Sequence, residues 1–196
     1  MKVVIIKYNA GNIRSVLFAL ERIGIEAVVT DNHDEIRDAD KVIFPGVGEA
    51  SSAMAYLKSK GLDTLIKSLK QPVLGICLGM QLMCSFSEEN NTECLGIFDQ
   101  KVRLFPNAGF KVPQIGWNNI TQLKTDLLSD VPEEAYMYFV HSYYVENCDE
   151  AIAKTDYVIE YSSAIRKDNF YAVQFHPEKS GDAGQKILEN FIRTVS

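Results

Sequence analysis

One cysteine in the chain stands where a nucleophile would. In Gly75-Ile76-Cys77-Leu78-Gly79-Met80-Gln81 an apolar, strand-like run ends at Cys77 and a helical pattern follows, with a glycine two residues to either side. A strand-to-helix turn this tight admits only small neighbours, which is the geometry of a nucleophile elbow with sulfur in place of oxygen. The start of the following helix would aim N–H groups and a positive dipole end at the sulfur, and both favour thiolate. Taken alone, Cys77 would serve equally as a small apolar side chain closing a buried strand; the paired glycines favour the nucleophile. Gln81 lies one helical turn on, its Cβ within about 6 Å of that of Cys77. Its amide either reads a substrate held over the sulfur or faces solvent. Cys84 is seven residues beyond Cys77, about 10.5 Å along a helix axis. That is too far for a disulfide, so it reads as core, while Cys94 and Cys148 receive no role.

A nucleophile of this kind needs a base and something to orient the base. Gln174-Phe175-His176-Pro177-Glu178 offers both, closing the strand-like run Phe170–Phe175. In an extended segment residues i and i+2 share a side, so His176 and Glu178 would face one cleft, and Pro177 holds His176 extended. The other histidines are His33, in the charged run Asp31–Glu35, which reads as solvated, and His141, near the end of an apolar segment, a rival base. A third feature, Pro45-Gly46-Val47-Gly48, follows a strand-like run. It is either a plain turn or a loop presenting N–H groups to an oxyanion. It lacks the GxxxxGK[ST] spacing of a phosphate loop.

Stepping outward from these residues, the first half alternates strand and helix. Strands are expected at Lys2–Tyr8, Ile25–Thr30, Lys41–Phe44 and Val73–Ile76. Helices are expected at Ile13–Ile23 (stopped by Gly24), Asp34–Ala39, Ala50–Lys60, Leu62–Leu69 and from Cys77 to about Phe86. From Gly96 to Phe175 the pattern changes to short alternating segments, at Lys101–Leu104, Val112–Thr121, Ala135–Val145, Ala151–Thr155, Ser162–Arg166 and Phe170–Phe175, which read as antiparallel strands. A closing helix carries Ala183, Ile187, Leu188, Phe191, Ile192 and Val195 on one face. The expectation is a single α/β domain over residues 1–196, with a central, mostly parallel sheet flanked by helices and an antiparallel extension.

Composition narrows the function. The 196 residues carry a net charge of −6 and are 46% hydrophobic, which suffices for a large core without disulfide or metal. An acidic surface without a basic stripe argues against nucleic acid. No apolar run reaches the roughly 18 residues of a membrane span, and the N-terminal run is too short for a signal core, so a cytoplasmic location is expected. Four cysteines without a CxxC pair and three dispersed histidines suggest neither a disulfide framework nor a metal site.

Together, GICLGMQ (75–81), QFHPEKS (174–180) and PGVG (45–48) resemble the class I, triad-type glutamine amidotransferases, in order and spacing across essentially the whole chain. Three further segments, Tyr8–Asn12, Val112–Asn118 and Tyr138–Tyr144, are similar to those of glutaminase subunits of imidazole glycerol phosphate synthases. The resemblance implies a flavodoxin-like amidotransferase fold and a Cys77-His176-Glu178 triad that hydrolyses glutamine through a thioester, with no cofactor. It implies an oxyanion hole from the N–H of Leu78 and, after a local rearrangement, of the Val47–Gly48 loop. It places Gly48, Gln81, Glu89, Ser142 and Tyr143 on the glutamine; Glu89 is preferred over Glu88 by its spacing from Cys77. It implies a heterodimer with a (β/α)8 cyclase that receives the ammonia and makes imidazole glycerol phosphate and an aminoimidazole carboxamide ribotide. Asn12, Trp117, Tyr138 and Lys179 match positions at or near that interface. Gln114 stands where this family often has His, which leaves one expected interface contact open. The rival readings are a glutaminase for sugar amidation in surface-polysaccharide synthesis, and a non-catalytic interaction or redox protein with an elbow cysteine.

Overall fold

The computed structural model describes residues 1–9 and 11–195, so Ala10 of the Tyr8–Asn12 segment and Ser196 lie outside the described residues. The chain runs β1 (Val3–Ile6), α1 (Ile13–Arg22), β2 (Ala27–Thr30), α2 (His33–Arg37), β3 (Lys41–Phe44), α3 (Ala50–Ser59), α4 (Leu62–Ser68), β4 (Val73–Ile76), α5 (Leu78–Met83), β5 (Phe86–Ser87), β6 (Thr92–Glu93), β7 (Lys101–Leu104), β8 (Gln114–Asn119), β9 (Tyr136–His141), β10 (Tyr143–Val145), β11 (Ala151–Tyr157), β12 (Ile159–Lys167), β13 (Phe170–Val173) and α6 (Gly181–Arg193).

Strands β1, β3, β4 and β13 are buried at every position, as continuous apolar runs must be when helices cover both faces of a sheet. Five strands lie parallel in the order β2-β1-β3-β4-β13, the flavodoxin-like order. Beyond β13 the sheet continues through β12, β10, β7, β5 and β6, with β11 paired to β12. A separate ribbon joins β8 to β9. Alternate residues of β1 feed two cores: Val3 and Ile5 meet α1 and α6 on one face, while Val4 and Ile6 meet α2, α3, α4 and α5 on the other.

Three expectations are corrected. The helix after Cys77 ends at Met83, because backbone N–H groups of residues 95–98 take the carbonyls of Leu82, Met83 and Cys84 and the chain leaves as β5. The run Ala135–Val145 breaks at Ser142: β9 pairs with β8, whereas β10 joins the main sheet against β7 and β12. The last strand, read as antiparallel, is antiparallel only to β12. Its other edge runs parallel to β4, with Val173 opposite Ile76. That pairing puts the ends of β4 and β13 side by side.

The elbow after β4 rests on a close backbone approach. A Cβ on Gly79 would lie 1.9 Å from the Phe44 carbonyl oxygen, and one on Gly75 would lie 2.9 Å from Met83 Sδ and 3.1 Å from the Gly79 carbonyl carbon. Gly79→Ala must therefore push α5 off β3. We expect a loss of at least the ~1–3 kcal/mol typical of overpacking, read as a lower urea midpoint at unchanged slope.

Candidate active site

The loops leaving β3, β4 and β13 meet at the carboxyl ends of the parallel strands, where open α/β sheets place their ligands. Cys77 follows β4 with φ 53 and ψ −107, a conformation rare for a side-chain-bearing residue that costs of order 1–3 kcal/mol and is held by its surroundings. Its N–H donates to the Val173 carbonyl at 2.8 Å. The sulfur lies 4.0 Å from the Val140 carbonyl oxygen and 3.6 Å from Gln174 Nε2. Helix α5 is only six residues long and its first N–H, that of Leu78, donates to the Gly46 carbonyl at 3.1 Å. The dipole expected to favour thiolate is correspondingly short.

His176 and Glu178 are brought together, though not as alternate residues of a strand. Strand β13 ends at Val173, His176 is extended, and Pro177–Lys179 form a 3-10 turn. The turn swings the carboxylate back so that His176 Nδ1 donates to Glu178 Oε1 at 2.7 Å, with both side chains fully shielded from solvent. Burial opposes charge on the imidazole, but Cys77 and Glu178 together outweigh it and raise His176 to about 10. His176 Nε2 and Glu178 Oε2 are buried without a hydrogen-bond partner among the described residues.

Asn12, expected at a partner interface, also donates to Glu178 Oε1. Two further residues of the QFHPEKS segment, which sequence reasoning left without a role, are tied into the site. Ser180 Oγ donates to the His176 carbonyl at 2.6 Å and accepts the Tyr138 N–H at 2.9 Å, and Gln174 touches the sulfur. The sequence offered only the spacing, Gln174 lying two residues before His176; that both are completely buried is visible in the structure alone.

His141, the rival base, is spent elsewhere. Nδ1 lies 2.7 Å from the Tyr143 carbonyl and Nε2 3.2 Å from the Tyr161 hydroxyl, and burial pushes the ring down to about 4. The Tyr161 hydroxyl also meets Gln114 Oε1 at 3.1 Å. Gln114, whose interface contact the sequence left open, is thus a buried member of this polar group, 3% exposed. His33 is only partly exposed and meets the Lys60 carbonyl at 2.9 Å. Cys84 and Cys94 are buried, Cys148 is partly buried, and all four cysteines are free thiols.

A pocket of about 280 Å³ opens over the sulfur, lined by Val47, Gly48, Cys77, Leu78, Gln81, Glu89, Pro113, Val140, His141, Ser142 and Tyr143. All five residues expected to hold substrate are on its wall. Gln81 is buried rather than solvated, and its Nε2 donates to the Tyr143 carbonyl and to Gln174 Oε1, each at 3.0 Å. Both amide hydrogens are used, so Gln81 can offer a substrate only its oxygen. The two glutamates point different ways: Glu88 turns to Arg103 (2.8 Å) and the Leu104 N–H (2.8 Å). Glu89 faces the pocket, accepts the Ala50 N–H at 2.7 Å, and has its carboxyl raised by burial. Gly48 is at φ 140, open only to glycine. The Leu78 N–H is engaged by the Gly46 carbonyl, and the Val47 carbonyl accepts the Gly11 N–H at 3.0 Å.

An elbow cysteine with a buried His–Glu pair from the parallel strand next to it defines the amidotransferase class of α/β enzymes. A family model for class-I glutamine amidotransferases matches residues 4–195. The chain is 59% identical over 194 residues to the imidazole glycerol phosphate synthase subunit HisH of Bacteroides fragilis, covering 98% of this chain and 99% of that one. It is 43% identical to the same subunit of Haemophilus influenzae over 100% of this chain and 98% of that one. Among solved structures, PurLQS from Thermotoga maritima matches with a TM-score of 0.74 at 15% identity, covering 100% of this chain and 99% of that one. A crystal structure of a glutamine amidotransferase also matches at 0.74, with 18% identity and 96% and 98% coverage. The chain belongs to the class-I glutamine amidotransferase family, among its imidazole glycerol phosphate synthase HisH subunits.

The two buried histidines bias stability in opposite directions with pH. Below about pH 6.5 the unfolded chain protonates His141 while the folded chain resists until about 4, so stability falls on acidification across that window. The folded chain keeps the His176 proton up to about 10, so its contribution is complete below pH 6.5 and is lost as pH rises toward 10. In urea titrations across pH, His141→Asn should flatten the acid limb and His176→Asn the alkaline limb.

Proposed function

We propose that Cys77, His176 and Glu178 hydrolyse glutamine to glutamate and ammonia, and that the ammonia passes to a (β/α)8 cyclase subunit bound as a heterodimer in the cytoplasm. The cyclase uses it to make imidazole glycerol phosphate and aminoimidazole carboxamide ribotide in histidine biosynthesis. The observation that carries the chemistry is the buried His176–Glu178 pair beside an elbow cysteine. With the thiol proton already held on His176 Nε2, the sulfur attacks the side-chain amide carbon as a thiolate, the C–N bond breaks, and the His176 proton goes to the leaving nitrogen as ammonia. Water, deprotonated by the same nitrogen, hydrolyses the thioester.

Glutamine fits the wall that surrounds the sulfur. The Glu89 carboxylate suits the α-ammonium group, the Gln81 oxygen suits a substrate N–H, and Gly48, Ser142 and Tyr143 close the remaining sides. The oxyanion hole forms when the Gly46 carbonyl leaves the Leu78 N–H and the Val47–Gly48 peptide turns its N–H inward, a motion the paired glycines permit.

The β8–β9 ribbon supports the partner assignment. Ile115, Trp117 and Tyr136 are more than half exposed. Trp117 packs edge-on to Tyr138 at 6.1 Å, and exposed Lys179 sits 5.8 Å over the Tyr138 ring. An aromatic, apolar patch beside a cation is what a protein interface selects. Asn12, beside the triad, would connect that surface to Glu178.

The test is glutamate release from glutamine, alone and with the cyclase and its ligand. We expect ligand-bound cyclase to accelerate release and Cys77→Ala to lower it by more than about 10³-fold. Glu89→Gln should raise KM about tenfold or more, the weight of a charged hydrogen bond, with a smaller change in kcat. Cys77-dependent release that ignores the cyclase would refute the partner while keeping the triad.

A further inference from the structure

Gln174 has no part in the chemistry so far, yet its side chain bridges two groups of the site. Its Oε1 is 3.0 Å from Gln81 Nε2, and its Nε2 is 3.6 Å from Cys77 Sγ, within range for an N–H donor to sulfur. Neighbouring groups determine which end of the amide faces the sulfur. A backbone carbonyl can only accept, and that of Tyr143 faces the Gln81 amide at 3.0 Å. The end of Gln81 directed at it therefore carries the hydrogens. The same nitrogen faces Gln174, so Gln174 must present its oxygen there and turn its own N–H toward the sulfur. His141 Nδ1, 2.7 Å from that carbonyl, anchors it from the other side. Gln174 and Gln81 are both buried, so water does not compete for these bonds.

We propose that Gln174 is a further catalytic residue of the glutaminase, donating its side-chain N–H to the Cys77 sulfur whenever that sulfur carries negative charge. This occurs twice. While His176 Nε2 holds the thiol proton, the electron pair left on sulfur accepts the Gln174 hydrogen bond before the S–C bond forms. When water has added to the thioester, the C–S bond breaks with its electron pair returning to sulfur. The same donor then holds that thiolate beside the protonated His176. A thioester sulfur is a poor acceptor, so the bond is strong only in the charged states. The contact also restrains the side chain: the sulfur sits between Gln174 and the Val140 carbonyl.

This inference rests on Cys77 as the nucleophile of the proposed glutaminase, and its test reads the sulfur without glutamine. The rate of Cys77 alkylation by iodoacetamide is measured across pH in the full chain, with the modified residue identified by mass spectrometry and Cys77→Ala as the blank. In Gln174→Met the profile should move up by about one pH unit, making alkylation about tenfold slower near neutrality. In the cyclase complex kcat should fall more than KM changes. A folded Gln174→Met variant with an unchanged profile overturns the proposal and leaves Gln174 as packing. Should that variant not fold, Gln174→Glu keeps the shape and the acceptor for Gln81 but turns an oxygen toward the sulfur. Its profile must then shift at least as far, and an unshifted one overturns the proposal equally. A wild-type chain that never releases glutamate, with the alkylation contrast intact, would reject the glutaminase and with it a catalytic role, leaving the hydrogen bond alone.

Discussion

Everything at this site depends on how closely α5 approaches the end of β3. The helix begins so near the Phe44 carbonyl that no side chain fits at position 79, and its first N–H is hydrogen-bonded to Gly46. That approach drives Cys77 to positive φ, lifts the sulfur above the sheet, and sets the glycine loop against the same sulfur. The placing of the Cys77 sulfur and that of the glycine loop are thus two consequences of one backbone contact. Moving the helix away would relax the strained residue and dissolve the pocket in the same motion.

The second dependence is on β9. The His176 N–H donates to the Tyr138 carbonyl at 2.9 Å, the Tyr138 N–H donates to Ser180, and the Val140 carbonyl meets the sulfur. Trp117 faces Tyr138 across the ribbon. The strand that presents an exposed aromatic surface is therefore bonded through its backbone to His176 and touches the Cys77 sulfur. A partner that shifted this ribbon would act on both groups directly, without an intervening chain of side chains.

Much of the architecture was legible because burial on both faces leaves an unbroken apolar run, as in Val3–Ile6 and Val73–Ile76, and because a nucleophile elbow demands small residues at fixed offsets. Cys77, His176 and Glu178 were legible as a set of residue types that the structure brings to one place. The reason for its geometry was not: alternate positions on a strand would have brought His176 and Glu178 together, but a 3-10 turn does so. The split of Ala135–Val145 at Ser142 was invisible, because both halves have strand composition and only their partners differ. Gln174 was passed over, Gln114 was left open and Gln81 carried two readings, because a glutamine looks polar in sequence whether it is solvated or bonded in the core.

The amino-acid sequence by itself determined the local conformations and the inventory of reactive groups: the glycine-flanked Cys77, the His176-Pro177-Glu178 string, and the alternation of helix and strand. These follow from sterics and periodicity within a few residues. Tertiary structure alone decided that β13 lies parallel to β4 and so sets His176 beside Cys77. It also decided that Glu88 turns to Arg103 while Glu89 faces the pocket, and that His141 is held neutral by burial. Each of those depends on which distant backbone or side chain fills the space alongside, and strand pairing and desolvation are properties of neighbours in space rather than in sequence.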